Sequence, residues 1–328
     1  MLSKNEWDPL QKVIVGSATN ATIPALDISL RTINYADIID PTSIPCGLYP
    51  QVVIDEANED LENFCNLLKS ENVTVERPDD NIIPEYYNYC PRDGILVHDN
   101  IVLVTPQPLR ARKNEYLAVY SHFKDYADIN FINKDIKRND SLYNNNCINN
   151  PDILALTEEE PSFDAANILR DNDNLYYLVS NSGNKAGAAY LQEIVGTDKK
   201  VWTIEGVYSY MHIDSTIALL REGLMLLNPS RIKSIEQLPL PLRSWDVIWS
   251  PDPVDIGHYP CYCNASKWIN VNLFSINPNL VVLDKHQTEL QRALEKHNID
   301  CAMLEMRHQR TLGGGFHCTT LDLERNHN

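Results

Sequence analysis

The sequence is short of positive charge: 28 Lys and Arg stand against 45 Asp and Glu in 328 residues, a formal charge of −17. A surface of that sign repels phosphate backbones and acidic membranes, which argues against nucleic-acid and membrane partners and favours a cationic small molecule. Long apolar runs are missing too. None approaches the 18 or so residues of a membrane span, and the start, Met1-Leu2-Ser3-Lys4-Asn5-Glu6, carries no apolar signal segment. The eight cysteines (46, 65, 90, 147, 261, 263, 301 and 318) have no framework spacing. They read as reduced thiols of a cytoplasmic protein. Gly313-Gly314-Gly315 is not followed by Lys-Ser/Thr, so it is no phosphate loop, and no dinucleotide fingerprint occurs. His258, Cys261 and Cys263 are irregularly spaced and lack a fourth ligand, so neither a metal nor a cofactor is expected.

What is present is globular. The chain is 43% hydrophobic and 22% charged, and a chain of this size buries about 75% of its unfolded surface. One local plan recurs. Short strands pair across tight turns at His98-Asp99-Asn100, Asp171-Asn172-Asp173-Asn174, Arg221-Glu222-Gly223 and Asn277-Pro278-Asn279, each with hairpin chemistry. Each hairpin is entered through a short polar side chain. Asp93, Asp164, Asp214, Ser266 and Cys318 mark these entries, separated by 71, 50, 52 and 52 residues. A period near 50 with helical segments between hairpins, such as Gln287 to His297, implies repeated strand-plus-helix units. The fifth hairpin is half-present, since only Thr320-Leu321-Asp322-Leu323 remains after Cys318. Its missing partner is the orphan first strand, Gln11 to Val15. The fold class expected is therefore α/β, a fivefold pseudosymmetric α/β propeller of strand-hairpin-plus-helix units closed by the N-terminal strand. One catalytic domain covers residues 1–328.

A closed ring brings the five entries toward one axis. In Met211-His212-Ile213-Asp214-Ser215-Thr216, strand alternation predicts His212, Asp214 and Thr216 on one face. Cys318 becomes a candidate nucleophile if a nearby acid/base assists it, because a free thiol is mostly protonated at neutral pH. His317 is adjacent, but neighbours at a strand start face opposite ways, so His212 is the better base. Carboxylates at Asp93 and Asp214 suit a guanidinium, whose five N–H donors form a fixed fork. Asp164 is placed to orient the histidine.

These residues also carry a resemblance. Asn5-Glu6-Trp7-Asp8-Pro9-Leu10, Cys90-Pro91-Arg92-Asp93, Phe163-Asp164-Ala165-Ala166, Met211-His212-Ile213-Asp214-Ser215-Thr216, Asn228-Pro229-Ser230-Arg231 and Gly313-Gly314-Gly315-Phe316-His317-Cys318 resemble the amidinotransferases. The inosamine-phosphate branch is most similar and the glycine branch next. The resemblance implies transfer of the amidino group of L-arginine to an amine through an amidino-cysteine, with release of ornithine. A phosphorylated aminocyclitol such as scyllo-inosamine 4-phosphate is one such acceptor. It implies Cys318 as nucleophile, His212 as general acid/base and Asp164 as its partner. Asp93 and Asp214 would hold the guanidinium, Arg231 and Ser266 the donor carboxylate, and Met211 would line the substrate site. Partners are then small molecules, and a homodimer is compatible with the resemblance. Two other readings stay open: an arginine deiminase-type hydrolase giving citrulline, and a non-catalytic binder of guanidino compounds.

Overall fold

The computed structural model describes residues 2–124 and 126–327. Five three-stranded sheets dominate it, and all five are wired alike: the first strand runs antiparallel to the second, and the second parallel to the third. In chain order they are Ile95–His98, Ile101–Val104 and Asn130–Ile132; Ile168–Asp171, Asn174–Leu178 and Lys200–Ile204; and Ile217–Arg221, Leu224–Leu227 and Asp246–Trp249. Then come Phe274–Asn277, Leu280–Asp284 and Asp300–Leu304, and finally Thr320–Arg325, Leu10–Val15 and Thr74–Glu76. The last sheet joins the two ends of the chain, with Val15 opposite Thr320 and Ile14 opposite Leu321. That is the pairing expected of the orphan strand. A small two-stranded sheet, Thr22–Ile23 with Gly47–Leu48, stands apart.

The hairpin turns fold as their residues require. Asp99 and Asn172 take positive φ (58° and 52°), which short polar side chains tolerate in two-residue loops. A parallel third strand needs a crossover, and a helix is the usual solution. Gln51–Ser70 supplies one, burying Val53, Ala57, Leu61, Phe64 and Leu68 at helical spacing. Lys185–Val195 supplies another, started by the Asn184 side chain accepting from Gly187 N at 2.8 Å. Thr288–Glu295 is the third, with Leu290 and Leu294 inward. The remaining two crossovers hold short helical turns, at Arg110–Arg112, Leu117–Tyr120 and Ser121–Phe123 in one and at Ile235–Gln237 and Leu240–Ser244 in the other.

The entries differ from expectation in one respect. Residues 212–216 are not a strand: His212 is the extended residue before a single 3-10 turn, Ile213–Ser215, and the strand starts at Ile217. Asp164 and Ser266 hold the same position before the turns Ala165–Asn167 and Lys267–Val271. Alternation along a strand therefore does not place His212 and Asp214. The structural counterpart of Asp164 and Ser266 is His212, two residues before the mark read from sequence. Cys318 likewise lies in a turn ahead of its strand.

The protein also holds a buried ionic core. Arg170 donates to Glu6 Oε1 and Oε2, both at 2.8 Å, and to Asp322 Oδ1 and Oδ2 at 2.8 and 2.7 Å. Arg92 and Arg325 also reach Asp322, at 2.8 and 2.7 Å. All five side chains are buried. Such charges are tolerated only because every one is paired, and removing one partner of a buried set costs about 3–5 kcal/mol.

Candidate active site

The run Gln309 to Cys318 sets up the site. The short helix Gln309–Leu312 ends at Gly313, whose φ of +84° is the left-handed cap that glycine adopts without penalty. Gly314 and Gly315 then pass through tight space. A Cβ on Gly314 would lie 2.5 Å from Cys90 Sγ and 2.9 Å from Cys318 Cβ, and one on Gly315 would lie 2.9 Å from Asn272 O. The glycines let the backbone deliver Cys318 into a packed polar centre.

There Asn272 grips Cys318 twice. Its Oδ1 accepts from Cys318 N at 3.0 Å, and its Nδ2 donates to Sγ at 3.0 Å. The thiol faces Asp214 Oδ2 at 3.1 Å. The neighbouring thiol of Cys90, burial and the Asp214 carboxylate together push the Cys318 thiol well above its ordinary range, with His212 pulling the other way. His212 Nε2 meets Asp164 Oδ2 at 3.0 Å, and its Nδ1 lies 3.8 Å from Asp93 Oδ1. Burial alone would lower the histidine, but Asp93, Asp164 and Cys318 outweigh it and hold it well above its ordinary value. Both shifts favour the protonated histidine and the protonated thiol.

Asp93 is held from behind, since Arg112 Nη1 reaches its Oδ2 at 2.6 Å. Its Oδ1 is buried without a hydrogen-bond partner. Burial pushes the carboxyl up, against His212 and Arg112. An unpaired buried acceptor costs about 1–3 kcal/mol, so this oxygen is waiting for a donor. Asp214 differs. Burial would raise it, but His317, His212 and Cys318 outweigh burial and keep it below the ordinary carboxylate value. Asp93, His212 and Cys318 each offer a metal-competent atom within 4.8 Å of the others, whereas His258, Cys261 and Cys263 are not gathered into such a group among the described residues.

His212, Asp214 and Cys318 open onto a cavity of about 380 Å³ lined also by Met211, Tyr208, Tyr210, Arg231, Ser266 and Arg310. Arg231 is braced by Ser215 O, Ser215 Oγ and Thr216 Oγ1 at 2.9, 2.7 and 2.7 Å, and stacks 3.5 Å from the Tyr208 ring centre. Its Nη2 faces Ser266 Oγ at 3.3 Å. The structure therefore gathers Cys318, His212, Asp214, Arg231, Ser266 and Met211 around one space, and Asp164 and Asp93 adjoin it through His212.

His317 lies apart from this space, as expected, but for another reason than strand alternation: its Nδ1 faces Asp214 Oδ2 at 3.0 Å and its Nε2 faces Glu6 Oε2 at 3.3 Å. Both ring nitrogens are occupied, and the ring links the ionic core to the thiol's neighbour. Sequence reasoning did not find Asn272, Arg112, Gln107 (whose Nε2 donates to Asp164 Oδ1 at 3.2 Å) or Cys90.

Comparison with known proteins decides the family. The inosamine-phosphate amidinotransferase 1 of Streptomyces glaucescens is 41% identical over 98% of this chain and 95% of its own length. This chain is an amidinotransferase. The mitochondrial glycine amidinotransferase of Xenopus tropicalis is 31% identical, over 98% of this chain and 82% of the relative. Among solved structures, the inosamine-phosphate amidinotransferase of Streptomyces griseus superposes with a TM-score of 0.93 at 40% identity, covering 100% of this chain and 97% of that one. A dimethylarginine dimethylaminohydrolase shares the fold at a TM-score of 0.60 and 15% identity. No family model matches the sequence. No helix among the described residues of this amidinotransferase is long and apolar enough to cross a membrane.

Proposed function

We propose that this amidinotransferase moves the amidino group of L-arginine to an amine acceptor by a ping-pong route through Cys318. The observation that carries the reading is the buried Asp93 Oδ1, without a hydrogen-bond partner among the described residues, beside His212 and Cys318. A guanidinium donating to that oxygen brings a cation against the thiol, which favours the thiolate and releases the thiol proton to water. The thiolate attacks the guanidinium carbon. His212 gives its proton to the departing δ-nitrogen, and ornithine leaves an S-amidino-cysteine. The acceptor amine then attacks the same carbon, returns a proton to neutral His212, and the C–S bond breaks to restore thiolate and imidazolium. Asp164 holds the histidine in place, Asp214 faces the second edge of the guanidinium, and Arg231 with Ser266 takes the donor carboxylate. Met211 closes one wall.

The five like-wired sheets, joined through the two ends of the chain, support a fivefold pseudosymmetric propeller forming one domain over residues 1–328. The relatives named for inosamine phosphate support a phosphorylated aminocyclitol as the first acceptor to test. The excess of acidic residues and eight free thiols support a cytoplasmic setting; a homodimer is compatible with the fold. The deciding assay incubates the protein with arginine, with and without hydroxylamine, and measures ornithine, hydroxyguanidine and citrulline. Amine-dependent ornithine is expected. Citrulline without it would replace transfer by hydrolysis, and undiminished turnover by Cys318→Ala would remove the covalent step.

A further inference from the structure

The catalytic cavity is polarised in a way that the donor alone does not require. Its lining carries Asp214, His212 and Cys318, with Asp93 within 4.8 Å of the last two, and also two guanidiniums, Arg231 and Arg310. Both are tethered to successive residues of one loop. Arg231 Nη2 faces Ser266 Oγ at 3.3 Å, and Arg310 Nε donates to Ala265 O at 3.0 Å. Arg310 is pinned on its outer side by Asp255, a half-exposed carboxylate. Its third nitrogen, Nη2, has only the sulfur of Cys263 at 3.4 Å, a weak acceptor, and both residues line the cavity. One donor edge of a held guanidinium is thus left under-satisfied in the cavity that a second guanidinium also lines.

Resting on the ping-pong reading above, the charge arithmetic is simple. Arginine presents one carboxylate, a monoanion, which Arg231 and Ser266 suffice to hold. That carboxylate departs with ornithine before the acceptor enters, so Arg231 is free again in the second half-reaction. Two guanidiniums lining one cavity then suit a dianion with three acceptor oxygens, and Arg–phosphate pairs are among the stronger charge-assisted contacts. We propose that Arg310 is the acceptor-specific half of a two-arginine clamp, with Arg231, for the phosphate of a phosphomonoester-bearing amine. Its phosphate sits on the wall of the cavity while its amine reaches the amidino carbon on Cys318. Arg310 serves the second half-reaction and Arg231 serves both.

The test compares kcat/KM for scyllo-inosamine 4-phosphate with that for unphosphorylated scyllo-inosamine, glycine and hydroxylamine, in wild type, Arg310→Gln and Asp255→Asn. A hydrogen bond to a charged group contributes about 1.5–3 kcal/mol, so Arg310→Gln is expected to cut the preference for the phosphorylated amine over its unphosphorylated twin by about 10- to 100-fold. The ornithine burst with arginine alone, scaled to folded protein, reads the donor half-reaction and separates lost acceptor affinity from general damage. Asp255→Asn, which frees Arg310 from its exposed partner, is expected to lower KM for the phosphorylated amine; an unchanged or higher KM counts against the clamp and gives a reading even if Arg310→Gln does not fold. The proposal is overturned if Arg310→Gln keeps the wild-type preference, or if glycine outcompetes the phosphorylated amine in wild type. Should hydroxylamine yield no hydroxyguanidine at all, it is the amidino-transfer reading that fails.

Discussion

Gly314→Ala tests the placement of the nucleophile most sharply, because alanine has no backbone objection to that position: Gly314 is not among the residues of positive φ. Only space opposes it. The new methyl would lie 2.5 Å from Cys90 Sγ, and ordinary contact begins at 3.4 Å, so the two must part by about 0.9 Å. Neither side gives easily. Cys90 O accepts from Asp93 N and Arg112 Nη2, both at 3.3 Å, and Cys318 is held at backbone and sulfur by Asn272. Overpacking of this kind costs about 1–3 kcal/mol of stability. A displacement near 1 Å of a reacting group costs about 100-fold in rate. The expected outcome is therefore a folded protein, a few degrees less stable by thermal unfolding, whose kcat for hydroxyguanidine formation falls by about 100-fold. Cys90→Ala in the same chain removes the 2.5 Å contact but leaves the 2.9 Å contact with Cys318 Cβ, so it should return part of the lost rate. A Gly314→Ala enzyme within threefold of wild type, or a double variant no better than the single, would refute the steric account.

Further outcomes follow from the same geometry. Asp164→Asn should lower kcat by about 100-fold or more, the usual scale of general acid–base assistance, with far less change in thermal stability; rates as a function of pH should show the acid limb of His212 moving down as its carboxylate partner is lost. Alkylation of Cys318 by iodoacetamide should be slow at neutral pH and titrate above the ordinary cysteine range, because Cys90, burial and Asp214 favour the thiol; a mass-resolved rate equal to that of exposed Cys46 would contradict this. Glu6→Gln should destabilise the protein by about 3–5 kcal/mol in urea, since three buried guanidiniums, Arg170, Arg92 and Arg325, would then share the one carboxylate of Asp322. Burial, with Arg170 and Lys199, depresses His98 to about 3, and neither ring nitrogen has a partner. The unfolded chain therefore binds this proton first, and stability is lost as pH falls from about 6.5 toward about 3, by at most ~1.4 kcal/mol per pH unit. His98→Leu should flatten that part of the urea-stability profile, and an unchanged slope would show the ring to be protonated when folded.

What the sequence revealed was what local chemistry encodes. Asp99-Asn100, Asn172-Asp173, Glu222-Gly223 and Pro278-Asn279 are two-residue hairpin loops, and reading them located four of the five strand pairs. Closure by Gln11 to Val15 was legible because a half-hairpin at each end leaves one solution. The parallel third strands were mostly hidden: Asn130–Ile132 and Asp246–Trp249 are short and largely exposed or half-buried, so no alternation marks them. The 3-10 turns at the entries were misread around His212, because a single helical turn is too short to show a period. The ionic core was invisible for a different reason. Glu6, Arg170 and Asp322 are 164 and 152 residues apart, and charged side chains are seldom fully buried. Asn272 lacked any signal beyond its place in the fourth unit.

The pairing of Leu10–Val15 with Thr320–Arg325 has a kinetic consequence. Those strands belong to opposite ends of the chain, and the nucleophile sits immediately before one of them while Glu6 precedes the other. Contacts of such high sequence separation form late, after shorter loops have closed. The four internal hairpins can assemble without a competent thiol, and Cys318 meets Asp214 and His212 only when the ends meet. Recovery of turnover during refolding should then trail recovery of strand content, which makes catalysis itself a reporter of the last step in folding.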